Sequence, residues 1–593
     1  MASYPKSLVF LPLTLCIFYI TSQLWHRQYY PHSRPLLKYP FDDDSNANQD
    51  CDDGSCFKSR DILENPDYED EFKGKWELAS ENSGISAMHI ILFPNTNKAI
   101  MLDAVSLGPS NVRLPVGIYR LNPGAWQKYV DYRALAVEYD AESAAIRPLK
   151  ILTDTWSSSG GLSANGTIVI SGGWSSRGRS VRYLSGCYHA CYWKEHHWEL
   201  SAKRWFSTQH ILPDGSFIVV GGRREFSYEY ILKEGKRIIY DLPILNETTN
   251  PSENNLYPFV FLSTDGNLFI FANDRSILLN PETNEILHAF PILRGGSRNY
   301  PASATSALLP IKLQDPNPKE IRAEVLICGG AKPEAGMLAG KGEFMNALQD
   351  CGRIEITNKS ATWQREMMPS PRVMGEMLLL PTGDVLIING AKKGTAGWNF
   401  ATDPNTTPVL YEPNDPINER FSELTPTSKP RMCHSTSVVL PDGKILVAGS
   451  NPHSRYNLTS GSKYPTELRI EKFYPPYFDE SFASYRPSIV SKFKGKMVKY
   501  GQNFVIQFKL DELEVSLNDL KVTMYAPPFT THGVSMGQRL LVLATKELID
   551  VGSGIFQVSV TAPPTAKIAP PSFYLLFVVY RQVPSPGTWV QIG

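Results

Sequence analysis

Histidine and cysteine are scarce in this chain, 11 and 8 in 593 residues, so the places where they gather are informative. The densest gathering is Cys187, His189, Cys191, His196 and His197. Thiolates and imidazoles are zinc's usual donors, but C-x3-C-x4-H-H is not the spacing of known zinc modules. The cluster reads instead as a disulfide-closed surface loop with incidental histidines. Two other places carry more. Cys433 and His434 stand side by side just ahead of an apolar run, and His532 lies in Ala526–Gln538, a loop unusually polar and rich in Gly and Pro for a plain connection. With Cys16 in an apolar leader, three local pairs suggest themselves as disulfides: Cys51–Cys56, Cys187–Cys191 and Cys328–Cys351. Spacing alone does not fix connectivity, and Cys433 is the odd thiol.

The elements that must position these side chains repeat. Ser163–Gly173, Leu212–Gly222, Ser263–Asn273 and Leu440–Ser450 each run from a polar turn through a short apolar strand to Gly or a small residue. Phe93–Asp103, Ala323–Ala331 and Pro381–Ala391 are weaker copies, which makes seven. D-G and N-G supply the positive φ that a tight hairpin needs. Between Asn165 and Asp442 the copies recur every 49 to 60 residues, near the ~50 of a kelch-type blade. One four-stranded blade cannot bury both faces, and a closed ring of seven lets each cover its neighbour. Tandem β-sandwiches would need ~100 residues per unit. The expectation is an all-β protein, with a seven-bladed β-propeller over 75–480. The pattern changes after Tyr485-Arg486-Pro487, and the alternating strands of 486–593 fit one immunoglobulin-like sandwich.

Composition agrees. There are 28 Tyr, 27 Phe and 11 Trp, with 42 Gly and 45 Pro, which favours a turn-rich β protein over a helical bundle. Fifty-nine basic residues balance 59 acidic ones, so the basic excess of a nucleic-acid binder is missing. Lys6 precedes the uncharged stretch Ser7–Trp25, whose apolar part, Leu8–Ile20, suits a signal peptide better than the ~20 residues of a membrane span. A small-x-small cleavage site does not follow it, so 1–25 reads as a signal peptide or an uncleaved signal anchor. Residues 26–70, with Asp42-Asp43-Asp44, read as a polar linker. Five sequons, at Asn165, Asn246, Asn358, Asn405 and Asn457, fit a secreted glycoprotein in the extracellular space or cell wall.

Leader, propeller and sandwich with a histidine-bearing loop together resemble the galactose oxidase and glyoxal oxidase family, most closely the plant glyoxal oxidase-like proteins. The motifs are Lys75-Trp-Glu-Leu78, Ser86-Ala-Met-His89, Arg204-Trp205, Gly221-Gly-Arg-Arg224, His434-Ser-Thr-Ser437 and Thr531-His532-Gly-Val-Ser-Met536. The resemblance implies a copper radical oxidase, which turns aldehydes or primary alcohols and O2 into oxidised product and hydrogen peroxide. In that family one copper is held by two tyrosines and two histidines. One tyrosine, linked to a cysteine by a thioether, carries the radical and supplies the second electron that one copper lacks.

Placed by register, eight residues before the turn, the family's positions fall on particular residues here. His434 precedes Asp442 and matches the propeller histidine; Phe206 precedes Asp214 at the radical tyrosine; Ser157 precedes Asn165 at the crosslinking cysteine. Cys433 takes the axial tyrosine's place, and His532 matches the histidine from the C-terminal domain. Phe206 has no phenol, Ser157 has no sulfur, and Cys433 cannot act as phenolate or phenol base. The resulting expectation is a protein without copper-radical catalysis, acting as a binding or structural component associated with cell-wall polysaccharide. Two alternatives stand beside it. One is an altered copper site of Cys433, His434 and His532, a soft donor set. The other is a working oxidase of small aldehydes or alcohols in which Tyr228 or Tyr230 replaces Phe206. An organic cofactor is not expected, and a monomer is. Trp174 and Trp205 are expected to fill gaps between blades, with stacking on sugars as the alternative.

Overall fold

The computed structural model describes residues 71–593, apart from 108–109, 122–129, 175–177, 187–191, 236, 315–319, 460, 494–496 and 513. The apolar leader, the polar linker and the pairs Cys51–Cys56 and Cys187–Cys191 therefore lie outside the described residues. Among the described residues no helix is long and apolar enough to cross a membrane.

The four N-G and D-G turns at Asn165, Asp214, Asp265 and Asp442 fold as the sequence suggests. The side-chain oxygens of Asn165, Asp214, Asp265 and Asp442 accept from the backbone N–H two residues on, at 2.9–3.1 Å. The following glycines sit at φ 81–92°, a region that a Cβ makes costly. The apolar runs beyond them, Ile168–Ser171, Phe217–Val220, Leu268–Ala272 and Ile445–Gly449, are buried throughout. Each is the second strand of an antiparallel blade.

Seven such blades close a ring: six four-stranded sheets, and a seventh whose four strands from His89–Phe93 to Ile146–Leu149 are extended by two more. Closure is not sequential. The last blade takes its outer strand from the start of the propeller, because Lys75–Ser80 pairs antiparallel with Ile470–Tyr474. Within one blade Cys328 and Cys351 face each other across adjacent strands and form a disulfide. Three sequon asparagines, Asn165, Asn246 and Asn358, are exposed. Asn405 departs from the expected surface position: it is 2% exposed and donates to Ser370 Oγ and the Pro371 carbonyl, so its amide is used by the fold.

The C-terminal region packs two sheets face to face, as an immunoglobulin-like sandwich does. It joins the propeller twice. Ile311–Lys312 adds in parallel to Arg539–Val542. The hairpin Phe529–Thr531/Val534–Met536 runs into the propeller and pairs with blade strand His89–Phe93, setting Thr531 opposite His89.

Buried arginines brace the blades. Arg182, Arg204, Arg298 and Arg431 each donate to the carbonyl of a glycine just past a second strand (Gly172, Gly221, Gly329 and Gly449), and Arg372 does the same to Asn389. Four of the five face a carboxylate: Glu195, Glu229, Asp350 and Glu471. Glu229 also accepts from the Ser201 and Ala202 amides, so one ion pair fixes the entry to a blade and the exit from its second strand. Replacing Arg204 by Met leaves the Glu229 carboxylate buried without its cation, and the expected cost is about 3–5 kcal/mol. Arg322→Met, which removes a surface ion pair with Glu355, should cost no more than about 1 kcal/mol. Urea unfolding of the two variants beside the parent chain measures the difference, and equal losses would show that Arg204 is not a brace.

Candidate functional site

The inner strand of each blade begins near the propeller axis, and the residue just before it has an unusual backbone. Ser157, Phe206, Tyr257, Ser303, Met374 and His434 occupy this place in six successive blades, all with φ between 48° and 64°. A non-glycine residue there carries strain of order 1–3 kcal/mol and persists only where surroundings impose it. The imposing contacts are visible. Phe206 N–H donates to Ser157 O, Tyr257 N–H to Phe206 O and Met374 N–H to Ser303 O, at 2.7–3.0 Å. Asn299 closes the gap between Tyr257 and Ser303: its Nδ2 donates to Tyr257 O, and its own carbonyl accepts from Ser303 N–H. The result is a collar of main-chain hydrogen bonds that aims one side chain per blade at the axis.

His532 enters from the other domain. It forms, with Gly533, the two-residue turn of the inserted hairpin, at φ 50° and 80°. This is the positive-φ pair that suits a hairpin of type I′. Its ring lies 4.8 Å from that of His434, 5.1 Å from Tyr257, 5.3 Å from Tyr300 and 5.8 Å from Phe206, centroid to centroid. Both ring nitrogens are engaged: Nδ1 with Thr531 Oγ1 at 2.6 Å and Nε2 with Ser157 Oγ at 3.1 Å. Tyr257 donates to Ser158 O at 2.9 Å, and its hydroxyl also reaches Ser157 and Thr531. Ser158 Oγ in turn meets His89 Nε2 at 3.3 Å.

Of the residues expected at the site, the structure brings together Ser157, Phe206, His434 and His532. Cys433 makes no contact with either histidine's ring nitrogens: it is buried in an apolar cluster with Ala302, Met374 and Ala396, on the side of the pocket where Tyr300 packs. Tyr228 and Tyr230 pack on Tyr240 and donate to Asn284. The phenols beside the histidines are Tyr257 and Tyr300. Tyr257 could have been found in the sequence, since it too stands eight residues before its turn, at Asp265. Tyr300 and His89 follow no such offset and meet the site only through folding.

The pocket disfavours charge. Burial holds the His434 imidazole down to about 4 and His89 to about 3, the latter with help from His434, and holds His532 well below the usual value. Burial likewise pushes the Cys433 thiol up to about 11 and the Tyr257 and Tyr300 phenols above their ordinary range. At neutral pH all of these groups are uncharged.

A copper centre of the radical type needs a phenolate, a thioether-linked phenol and two imidazoles. The residues here do not fit it. Ser157 turns its hydroxyl onto His532 Nε2, and Phe206 presents a bare ring stacked at 4.8 Å on Tyr300. Among the described residues no three His, Cys, Asp or Glu side chains converge as a metal site. His434 and His532 supply two neutral imidazoles of such a donor set.

Over the collar lies a group of indoles. Trp156 stacks on Trp398 at 5.6 Å and meets Trp174 and Trp205 at 5.3 and 5.2 Å; Trp205 adjoins Phe206 at 4.7 Å. Trp174 does more than fill a gap between blades, since it and Trp398 are each 40% exposed.

Comparison with known proteins agrees with this architecture. Residues 88–477 match the family described as glyoxal oxidase N-terminus, and 486–592 match the galactose oxidase-like early set domain. Aldehyde oxidase GLOX1 of Arabidopsis thaliana is 51% identical over 522 residues, covering 88% of this chain and 84% of its own. Putative aldehyde oxidase Art an 7 of Artemisia annua is 43% identical over 544 residues, covering 89% and 90%. A solved fungal alcohol oxidase in complex with copper is 17% identical and superposes with a TM-score of 0.66, over 88% of this chain and 99% of that one. The last shares the fold.

The buried histidines set a pH dependence. Their folded pKa values lie below the ordinary 6.5, so the unfolded chain binds more protons between the two values, and stability falls as pH drops through that window. For His434 the window is pH 6.5 down to about 4, with a slope approaching about 1.4 kcal/mol per pH unit. His434→Gln should flatten the stability–pH curve relative to the parent chain by that amount in that window. Denaturant unfolding at half-unit pH steps checks it, and parallel curves would mean that His434 is not held neutral.

Proposed function

The chain belongs to the glyoxal oxidase and galactose oxidase-like family of copper radical oxidases, and on that premise we propose that it keeps the family's scaffold without the radical chemistry, serving as an extracytoplasmic binding protein. One observation supports the reading: Phe206, at the position that register assigns to the redox-active phenol, presents a bare ring to His532, with the Ser157 hydroxyl beside it on His532 Nε2. Phenylalanine is not oxidised at the potentials that generate a tyrosyl radical, and serine offers no sulfur for a thioether. One copper changes by a single electron, so two-electron oxidation of an aldehyde or alcohol lacks its second redox centre. The remaining phenols, Tyr257 and Tyr300, are held protonated by burial, and neither is joined to a cysteine. Access is restricted as well, because Ser157 and Tyr257 are fully buried and His434, His532 and Phe206 are 4–6% exposed beneath the indoles.

Copper-treated protein should release no hydrogen peroxide with a panel of small aldehydes and primary alcohols, beside an active family member as control. The triple variant Ser157→Cys, Phe206→Tyr and Cys433→Tyr should recover measurable turnover. Turnover by the parent chain would overturn the reading. If that turnover vanished in Tyr257→Phe, the phenol of Tyr257 would have taken the redox role.

A further inference from the structure

Trp174 and Trp398 are large apolar rings, each 40% exposed, on a scaffold whose other axial aromatics are covered. They belong to one continuous strip. Centroid steps of 5.6, 5.3 and 4.1 Å lead from Trp398 through Trp156 and Trp174 to Trp205, a surface wider than a single six-membered ring. A run of indole faces open to solvent is costly unless something apolar and flat covers it.

The strip ends on a polar rim. The Arg223 guanidinium lies over Trp205, 5.4 Å from the ring centroid, and its Nε donates to Glu253 Oε2 at 2.7 Å. Glu253 also faces Arg224 at 3.8 Å. On the far side of this pair opens a cavity of about 170 Å³ whose polar lining comes from Arg224, Glu225, Thr249, Glu253 and Asn255. It has room for a polar ring rather than for isolated waters. Two guanidiniums stand against two carboxylates around it, so the rim selects hydrogen-bonding groups without selecting net charge.

An apolar platform bordered by paired donors and acceptors matches one ligand chemistry well. A pyranose ring has an apolar C–H face and a rim of hydroxyls, each both donor and acceptor. A flat aromatic alcohol would cover the indoles but make no use of the cavity's polar lining. A uronate chain would require a cationic excess. We propose that the axial face binds a linear, neutral polysaccharide chain, with sugar rings stacked on the exposed Trp398 and Trp174 and one ring's hydroxyl edge turned into the cavity beyond Arg223 and Glu253. The inference deepens the binding function proposed above by naming the ligand class, and rests on it only in treating that ligand as bound and released unoxidised.

The test is titration of the full chain with cellohexaose, xylohexaose and β-1,4-galactohexaose in turn, followed by intrinsic tryptophan fluorescence and by calorimetry. At least one hexamer should give saturable binding. Trp174→Ala with Trp398→Ala should weaken it at least tenfold, Trp398→Phe should largely keep it, and Glu253→Ala should weaken it at least threefold. Unchanged urea midpoints establish that the variants are folded; should the double alanine variant unfold, Trp174→Ser alone, weakened at least threefold, decides. No saturable binding by any hexamer would overturn the proposal. So would binding indifferent to both tryptophans, or benzyl alcohol binding as tightly as the best hexamer. Peroxide measured on the same samples separates the two readings, because a bound hexamer that is oxidised defeats the non-catalytic function while leaving the site intact.

Discussion

Everything at the axis depends on a backbone conformation that its residues would not choose. Six successive blades hold a non-glycine residue at positive φ one or two residues before the inner strand. Ser157, Phe206, Tyr257 and Ser303 each accept a hydrogen bond from the next blade, directly or through Asn299. The arrangement survives because the entry segments are themselves braced from behind by fully buried guanidiniums, which satisfy carbonyls that would otherwise be orphaned at the ends of the second strands. Strain at the axis and ion pairs in the blade interiors are thus two parts of one device. A left-handed residue there aims its side chain into the bore, whatever that side chain is.

This separation of scaffold from chemistry explains how the pocket can change its character without the fold changing. The collar specifies backbone geometry and leaves the side chains open, so it holds the hydroxyl of Ser157 and the bare ring of Phe206 by the same φ. Burial is the largest influence on the titratable groups of the pocket, so the imidazoles and phenols are held neutral, and the hydroxyl of Ser157 is the hydrogen-bond partner of His532 Nε2.

The C-terminal domain plugs the ring with its hairpin. Ser535 Oγ and Gln538 Nε2 both donate to the Met377 carbonyl, while Thr531 pairs with His89, so His532 is registered against several blades at once. Beside that plug, the indoles make the outward face of the same axis apolar and partly open, and the Arg223–Glu253 pair gives it a polar edge.

The architecture was legible in the order of residues along the chain. D-G and N-G turns force a local hairpin, and their ~50-residue period leaves ring closure as the way to bury both faces of each blade. The same order also determined four of the axial residues, Ser157, Phe206, His434 and His532, because a fixed offset from a turn is a local property of one strand or, for His532, a distinctive loop. The same offset would have yielded Tyr257. Local spacing carries no information about partners from other blades, and there only the tertiary structure decided. Cys433 adjoins His434 in the chain, yet consecutive side chains diverge, and the thiol went to an apolar cluster. Tyr228 and Tyr230 were near Phe206 in sequence but turned to Tyr240, whereas Tyr300, some ninety residues on, stacks on Phe206. Asn405 carries a sequon and is buried. The tryptophan strip joins residues from loops at 156, 174, 205 and 398. In each instance the deciding term is burial against side chains distant along the chain, which becomes fixed only once the ring has closed.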